Sequence, residues 1–182
     1  MTEPQTMALP DVTLPVGDGQ LKGAGVSPAV VANSVLRRSF LEYEPLNSMK
    51  LQRLMYFIAC LYQRESGFVL LSEQFQPWEY GPALASIHEE FKSFDGKDIT
   101  VYAKDANGRA RMVRESANPA FRRAISVVWD NLSGYTAVDL SRLTHRKGSA
   151  WYEAWTYHMP FISNESMAQD DSFFNEIGWV RQ

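Results

Sequence analysis

Between residues 48 and 65 apolar side chains return at the helical period. Leu51, Leu54, Met55, Ile58, Leu61 and Tyr62 fall at i, i+3, i+4, i+7, i+10 and i+11. This spacing makes a broad apolar stripe on a helix of 3.6 residues per turn. Met49, Phe57, Ala59 and Cys60 widen it. A helix apolar over most of its circumference is expected at the centre of a fold, covered on more than one side. Lys50, Gln52, Arg53 and Tyr56 are left for its polar side. Asn47 and Ser48 can accept from the first free backbone N–H groups, and Gly67 is a plausible stop.

The same pattern places further helices. Ser27-Pro28 reads as a cap followed by proline in the first turn, and Ala32, Val35, Leu36 and Phe40 share the face that follows. That helix is expected to end before Pro45. Leu84, Ile87, Phe91 and Phe94 mark a third helix after Gly81-Pro82. Phe121, Ala124, Ile125, Val128, Trp129 and Leu132 mark a fourth, begun by Asn118-Pro119 and broken by Gly134. Thr136 caps a helix to about His145, and Ser149 begins a short one carrying Trp151, Ala154 and Trp155. One or two short helices are expected between 163 and 182, with Phe173, Phe174, Ile177 and Trp179 returning to the core.

Two stretches change period. Phe68–Leu71 reads as a short buried strand or extended segment, and Phe75–Trp78 as extended, since Pro77 biases Gln76 away from helix. Ile99–Tyr102 and Arg109–Val113 alternate around the turn signal Asp105-Ala-Asn-Gly108, which predicts a two-stranded hairpin. The expected fold is therefore mainly α: a compact multi-helix domain around one central apolar helix, with a small β-hairpin or short strands. Residues 27–182 form a single domain in this reading. Residues 1–26, rich in proline and glycine and without a period, are expected to be a flexible tail.

Composition narrows the function. The chain has 182 residues, 45% apolar and 13% aromatic, enough for one full core. Its 18 basic and 21 acidic side chains leave −3, so the molecule as a whole has no pull toward nucleic acid, although a local basic patch stays open. One cysteine excludes an internal disulfide framework, no apolar run reaches the roughly 18 residues of a membrane span, and no signal peptide is visible. A cytoplasmic protein is the expectation. His88, His145 and His158 have no metal-ligand grouping, phosphate-loop and nucleophile-elbow motifs are missing, and no cofactor is expected.

What stands out is aromatic. Trp78-Glu79-Tyr80-Gly81-Pro82 sets two large rings beside a charge and a rigid turn. Trp151-Tyr152 and Trp155-Thr-Tyr157 do so again after the Thr144–Gly148 loop. Such residues anchor interfaces, and they also serve as ordinary core corners. Arg109 and Arg111 share one face of the expected hairpin, either as a solvated face or as a contact for an acidic partner.

Three of these stretches, taken together, resemble one family. Met49-Lys-Leu-Gln-Arg-Leu-Met-Tyr-Phe57 is similar to the KLQKLLYF helix of the Panacea-domain (SocA-like) antitoxins. Phe75-Gln-Pro-Trp-Glu-Tyr-Gly-Pro82 is similar to their F-x-A-W-x-Y-G-P turn. Asp139–Trp151 is similar to their L-S-x-L-T-H-x-x-G-x-P-W segment, and Val31-Ala-Asn33 to their opening helix. Pro77 stands where the family usually has Ala, and Ala150 where it often has Pro.

The resemblance implies a non-enzymatic antitoxin of a bacterial or phage toxin–antitoxin pair, which neutralises a cognate toxin by binding it directly. The toxin gene is expected next to this one. It brings no catalytic residues. Trp78, Glu79, Tyr80, His145, Trp151 and Tyr152 are the candidate contact residues, with Arg109 and Arg111 as a second set. Lys50, Leu51, Leu54, Tyr56, Gly81 and Pro82 are expected to hold the fold. Two alternatives stay open: an adaptor that delivers a toxin to the ClpXP protease, and a transcriptional regulator of its own operon. A homodimer through the aromatic surface also stays open. Membrane partners are not expected, and nucleic acid is disfavoured by the overall charge.

Overall fold

The computed structural model describes residues 21–179. Among them are seven α-helices and one two-stranded antiparallel sheet: α1 (Pro28–Glu42), α2 (Ser48–Ser66), β1 (Gln76–Trp78), β2 (Gly81–Ala83), α3 (Ala85–Phe91), α4 (Pro119–Leu132), α5 (Ala137–Thr144), α6 (Ala150–Thr156) and α7 (Asn164–Gln169). Short 3-10 turns follow α3 at Lys92–Phe94, precede α4 at Glu115–Ala117 and close the chain at Phe174–Ile177.

Helix α2 is the centre. It packs against α1, α4, α5, α7 and the sheet, and every residue from 50 to 61 is buried. Its start is fixed by Asn47, whose side chain accepts from Lys50 N at 2.8 Å, and its end by Gly67 in the left-handed conformation. Thr136, Ser149 and Ser163 cap α5, α6 and α7 in the same way. Leu51, Leu54, Met55, Ile58 and Leu61 join Val31, Val35, Leu36, Phe121, Ile125, Phe173 and Phe174 in one continuous core.

Three sequence expectations are corrected here. The first is the polar side of α2. Lys50, Gln52, Arg53 and Tyr56 are all buried, because that side faces the sheet, α5 and the C-terminal segment rather than water. The second is the hairpin. Residues 99–114 contain no strand; the ladder lies instead at 76–83, pairing Gln76 with Ala83, Pro77 with Pro82 and Trp78 with Gly81. The turn at 105–109 does form, with Asp105 N donating to Arg109 O at 2.8 Å. No ladder extends from it, because the Asn33 side chain takes the carbonyls of Ala103 and Arg111 and the N–H of Ala103.

The third concerns the N-terminal boundary. Most of the expected tail lies outside the described residues. Its last part, however, is tied down: Lys22 and Val26 form parallel bridges with Phe68 and Leu71, with Val26 N donating to Leu70 O and Ser72 N to Val26 O, both at 2.8 Å. The domain thus includes residues from Lys22 on. Of the two readings of Phe68–Leu71, the extended segment is the one found, held by these bridges.

Candidate functional site

The sheet is too short to hold itself. Its central pair is proline facing proline, which supplies no N–H to a ladder. Three buried side chains hold it from outside. Arg53 of α2, only 3% exposed, gives Nη1 to Pro82 O at 2.6 Å, Nη2 to Tyr80 O at 2.7 Å and Nε to Ser141 Oγ of α5 at 3.1 Å. The Trp151 indole N–H of α6 donates to Trp78 O at 2.8 Å. Gln52 Oε1 accepts from Leu84 N where the chain leaves β2. Burial pulls the Arg53 guanidinium down to about 10, which leaves it charged at neutral pH.

Gly81 is required by this arrangement. Its φ is +128°, and a Cβ there would lie 2.5 Å from Arg53 Nε. The guanidinium therefore reaches the turn only because residue 81 has no side chain.

Above the guanidinium lies a stack of rings. The His145 ring sits 4.0 Å from that of Trp151 at 28°, and Trp151 sits 5.3 Å from Trp155 at 13°. His145 is half-buried, and its Nε2 has no hydrogen-bond partner. Desolvation and then the positive Arg53 lower its pKa below the usual histidine value. A neutral imidazole is the form that fits.

A second buried junction lies further along the same side of α2. Asp170 is 3% exposed, and its carboxylate accepts from Tyr56 OH at 2.5 Å, Ala150 N at 3.1 Å, and Ser172 N and Oγ at 3.0 and 2.6 Å. Burial raises the Tyr56 phenol and the nearby Cys60 thiol well above their usual range, so both stay protonated. Cys60 is a buried packing residue.

Residues 51–152 match the family model for the antitoxin SocA-like, Panacea domain. The chain belongs to this family. No curated protein and no solved structure matches it. The three Panacea-like stretches, far apart in sequence, meet at one place: Gln52 and Arg53 from the first, the Trp78–Pro82 turn from the second, and Ser141, His145 and Trp151 from the third.

The candidate contact residues separate by exposure. Glu79 and Tyr80 form the two-residue turn and are exposed, Tyr80 by 66%. Trp78, His145 and Tyr152 are half-buried; Trp151, at 5%, is buried and holds the sheet to α6. The structure does bring Trp78, Glu79, Tyr80, His145 and Trp151 together. Arg109 and Arg111 lie apart from them, on the coil after α3. Of the residues expected to hold the fold, Lys50, Leu51, Leu54, Tyr56, Gly81 and Pro82 are all buried.

Exposed apolar residues outside the candidate contact set continue this side of the molecule. Trp155, Tyr157, Met159 and Phe161 are exposed at the end of α6 and in the segment after it. That segment returns to the start of the sheet, where Ile162 N donates to Phe75 O at 2.8 Å. Trp155 and Tyr157 belong to the aromatic cluster visible in the sequence, and the signal for Met159 and Phe161 was apolar residues persisting past the end of the α6 stripe.

For chemistry of other kinds the geometry offers little. Among the described residues no three His, Cys, Asp or Glu side chains gather as a metal site, and no helix is long and apolar enough to cross a membrane. Glu79, Glu89 and Glu90 are all exposed.

Proposed function

We propose that the protein is a non-enzymatic antitoxin that neutralises a cognate toxin by direct contact through the sheet turn and the α6 end. The observation that carries this reading is the run of exposed aromatic and apolar side chains, Tyr80, Trp155, Tyr157, Met159 and Phe161, flanking the sheet. Exposed apolar surface of this kind marks interaction sites, and Tyr and Trp are the side chains that dominate them. The buried Arg53, Gly81 and Trp151 provide the rigid support beneath it, so that little ordering entropy is lost on binding.

Family membership supports the antitoxin role, and the toxin is expected to be the product of an adjacent gene. The test is co-expression. The neighbouring gene induced alone arrests growth, and this chain restores growth and forms a complex on size exclusion. Separate Tyr80→Ala and Tyr157→Ala variants lose the rescue while their melting temperatures stay within about 2 °C, as expected for exposed side chains. Rescue that survives both substitutions places the contact elsewhere.

A further inference from the structure

The 18 lysines and arginines of the chain all lie outside two of its stretches. Residues 65–91, which hold the sheet and α3, carry five acidic side chains and no lysine or arginine. Residues 148–179, which hold α6 and α7, carry another five and again no lysine or arginine. The fold sets these two stretches against each other. The Trp151 indole of α6 donates to Trp78 O of β1 at 2.8 Å, and Ile162 N donates to Phe75 O at 2.8 Å. Trp78 in turn meets the His88 ring of α3 at 5.1 Å. The aromatic surface proposed for toxin binding is thus built from the parts of the chain that hold no strong cation.

Two carboxylates stand among the aromatic residues themselves. Glu79 is in the sheet turn between Trp78 and Tyr80, exposed and without a basic partner among the described residues. Glu153 is exposed in the first turn of α6 and accepts from Ser166 Oγ of α7 at 3.2 Å. The neighbouring cations are engaged or stand at the edge. Lys92 pairs with Glu89, Arg146 turns to Ser172 O and Glu176, and Lys147 is exposed in the loop before α6. Trp155 is the outermost ring of the stack, near-parallel to Trp151 at 13° and 44% exposed against 5% for Trp151. A flat cation can extend such a stack, because the face of an indole attracts a guanidinium or ammonium group.

We infer that the matching surface of the toxin is basic, with lysine and arginine side chains that pair with Glu79 and Glu153 and lie against Trp155. This rests on the toxin-binding reading above and adds to it the chemistry of the partner. Charge complementarity decides the occupant. An uncharged toxin face would strip water from the carboxylates and give them nothing in return, which opposes binding. A second copy of this chain would bring acidic surface against acidic surface, since a two-fold interface pairs a patch with itself and neither stretch has a lysine or arginine to offer. A basic face meets both needs, and the aromatic rings supply the apolar contact between the charges.

The experiment measures affinity and association rate between the full chain and the purified product of the adjacent gene, at about 50 and about 500 mM salt. The wild-type complex is expected to weaken about tenfold across that range, mostly through slower association. Glu79→Lys/Glu153→Gln is expected to weaken it about tenfold at the lower salt and to flatten the salt dependence. Glu79→Gln, a single change at an exposed side chain, is expected to act in the same direction with an unchanged melting temperature, which separates lost charge from lost folding. A complex that Tyr80→Ala or Tyr157→Ala breaks, but that neither salt nor the charge variants alter, overturns the basic partner and leaves the toxin-binding reading standing. Absence of any complex with the wild-type chain overturns both. A dimer of this chain alone that Tyr157→Ala separates gives the surface to a second copy and overturns the inference as well.

Discussion

The sheet at 76–83 and the coil at 99–118 have the same difficulty, in that neither can satisfy its backbone with its own ladder. In each, one buried side chain reaching out of a helix is the principal tie. For the sheet it is Arg53 of α2, with three hydrogen bonds. For the coil it is Asn33 of α1, also with three, to Ala103 O and N at 2.8 and 2.7 Å and to Arg111 O at 2.8 Å. The two anchors differ in charge and in what covers them. Arg53 lies beside a ring stack and joins α2 to the sheet and to α5, whereas Asn33 is a neutral amide that joins the coil to α1. A buried guanidinium left without its acceptors is far costlier than a buried amide, and carbonyls left without a guanidinium have no water to turn to. The sheet is therefore bound into the cooperative core, and the coil is a locally attached strap.

Arg53→Met tests the larger side of this difference. It keeps most of the side-chain volume and strands the Tyr80 and Pro82 carbonyls, so a loss of about 3 kcal/mol is expected from one buried and one partly buried acceptor left unsatisfied. Urea unfolding would read it as a lower midpoint with an unchanged slope. Gly81→Ala attacks the same junction from the turn. The new Cβ meets the guanidinium and the backbone is held at a φ that alanine resists, for a loss of about 2–3 kcal/mol. If the double variant costs no more than Arg53→Met alone, the two act through one contact; simple addition would mean that the close approach of Gly81 to Arg53 is not the reason for glycine.

Much of this fold was legible and one part of the junction was not. Helix starts were readable wherever a side-chain cap exists, as at Asn47, Thr136, Ser149 and Ser163, because a cap is a local feature. The family stretches were readable by their order along the chain. The role of Arg53 was not, because periodicity assigns a polar residue to water whenever it falls off the apolar stripe. It has no means of showing that the opposite side of α2 is itself covered, by elements 27 and 88 residues further on in the sequence. The misplaced hairpin has the same origin. Ile99–Tyr102 and Arg109–Val113 have a strand-like alternation and a true turn between them, and a single amide from 70 residues away takes the backbone groups that a ladder would have used.

Asn33→Ala sharpens the comparison from the smaller side. The expected loss is about 2 kcal/mol, from one set of neutral hydrogen bonds. Its signature is local: faster amide hydrogen exchange at Ala103 and through residues 99–113, with protection in α2 and the sheet retained. Global unfolding as severe as that of Arg53→Met would erase the distinction between strap and core.

The smallest expected effect is on pH. In the folded protein the His145 pKa is lowered, first by desolvation and then by Arg53, while in the unfolded chain it returns to about 6.5. Above that value the ring is neutral in both states and the stability of the junction is complete. As pH falls through about 6.5 the unfolded chain takes up a proton that the folded one resists, so stability declines until the pH passes below the folded pKa. His145→Phe retains a flat ring against Trp151 and removes the titration. Unfolding midpoints compared at pH 7.5 and 5.5 are therefore expected to fall further in the wild-type chain than in the variant. Asn33→Ala, acting on the strap, leaves that pH difference unchanged, whereas Arg53→Met reduces it by removing the neighbouring cation. An equal pH response in wild type and His145→Phe would mean that the proton is resisted elsewhere, and that the stack above Arg53 is held by packing alone.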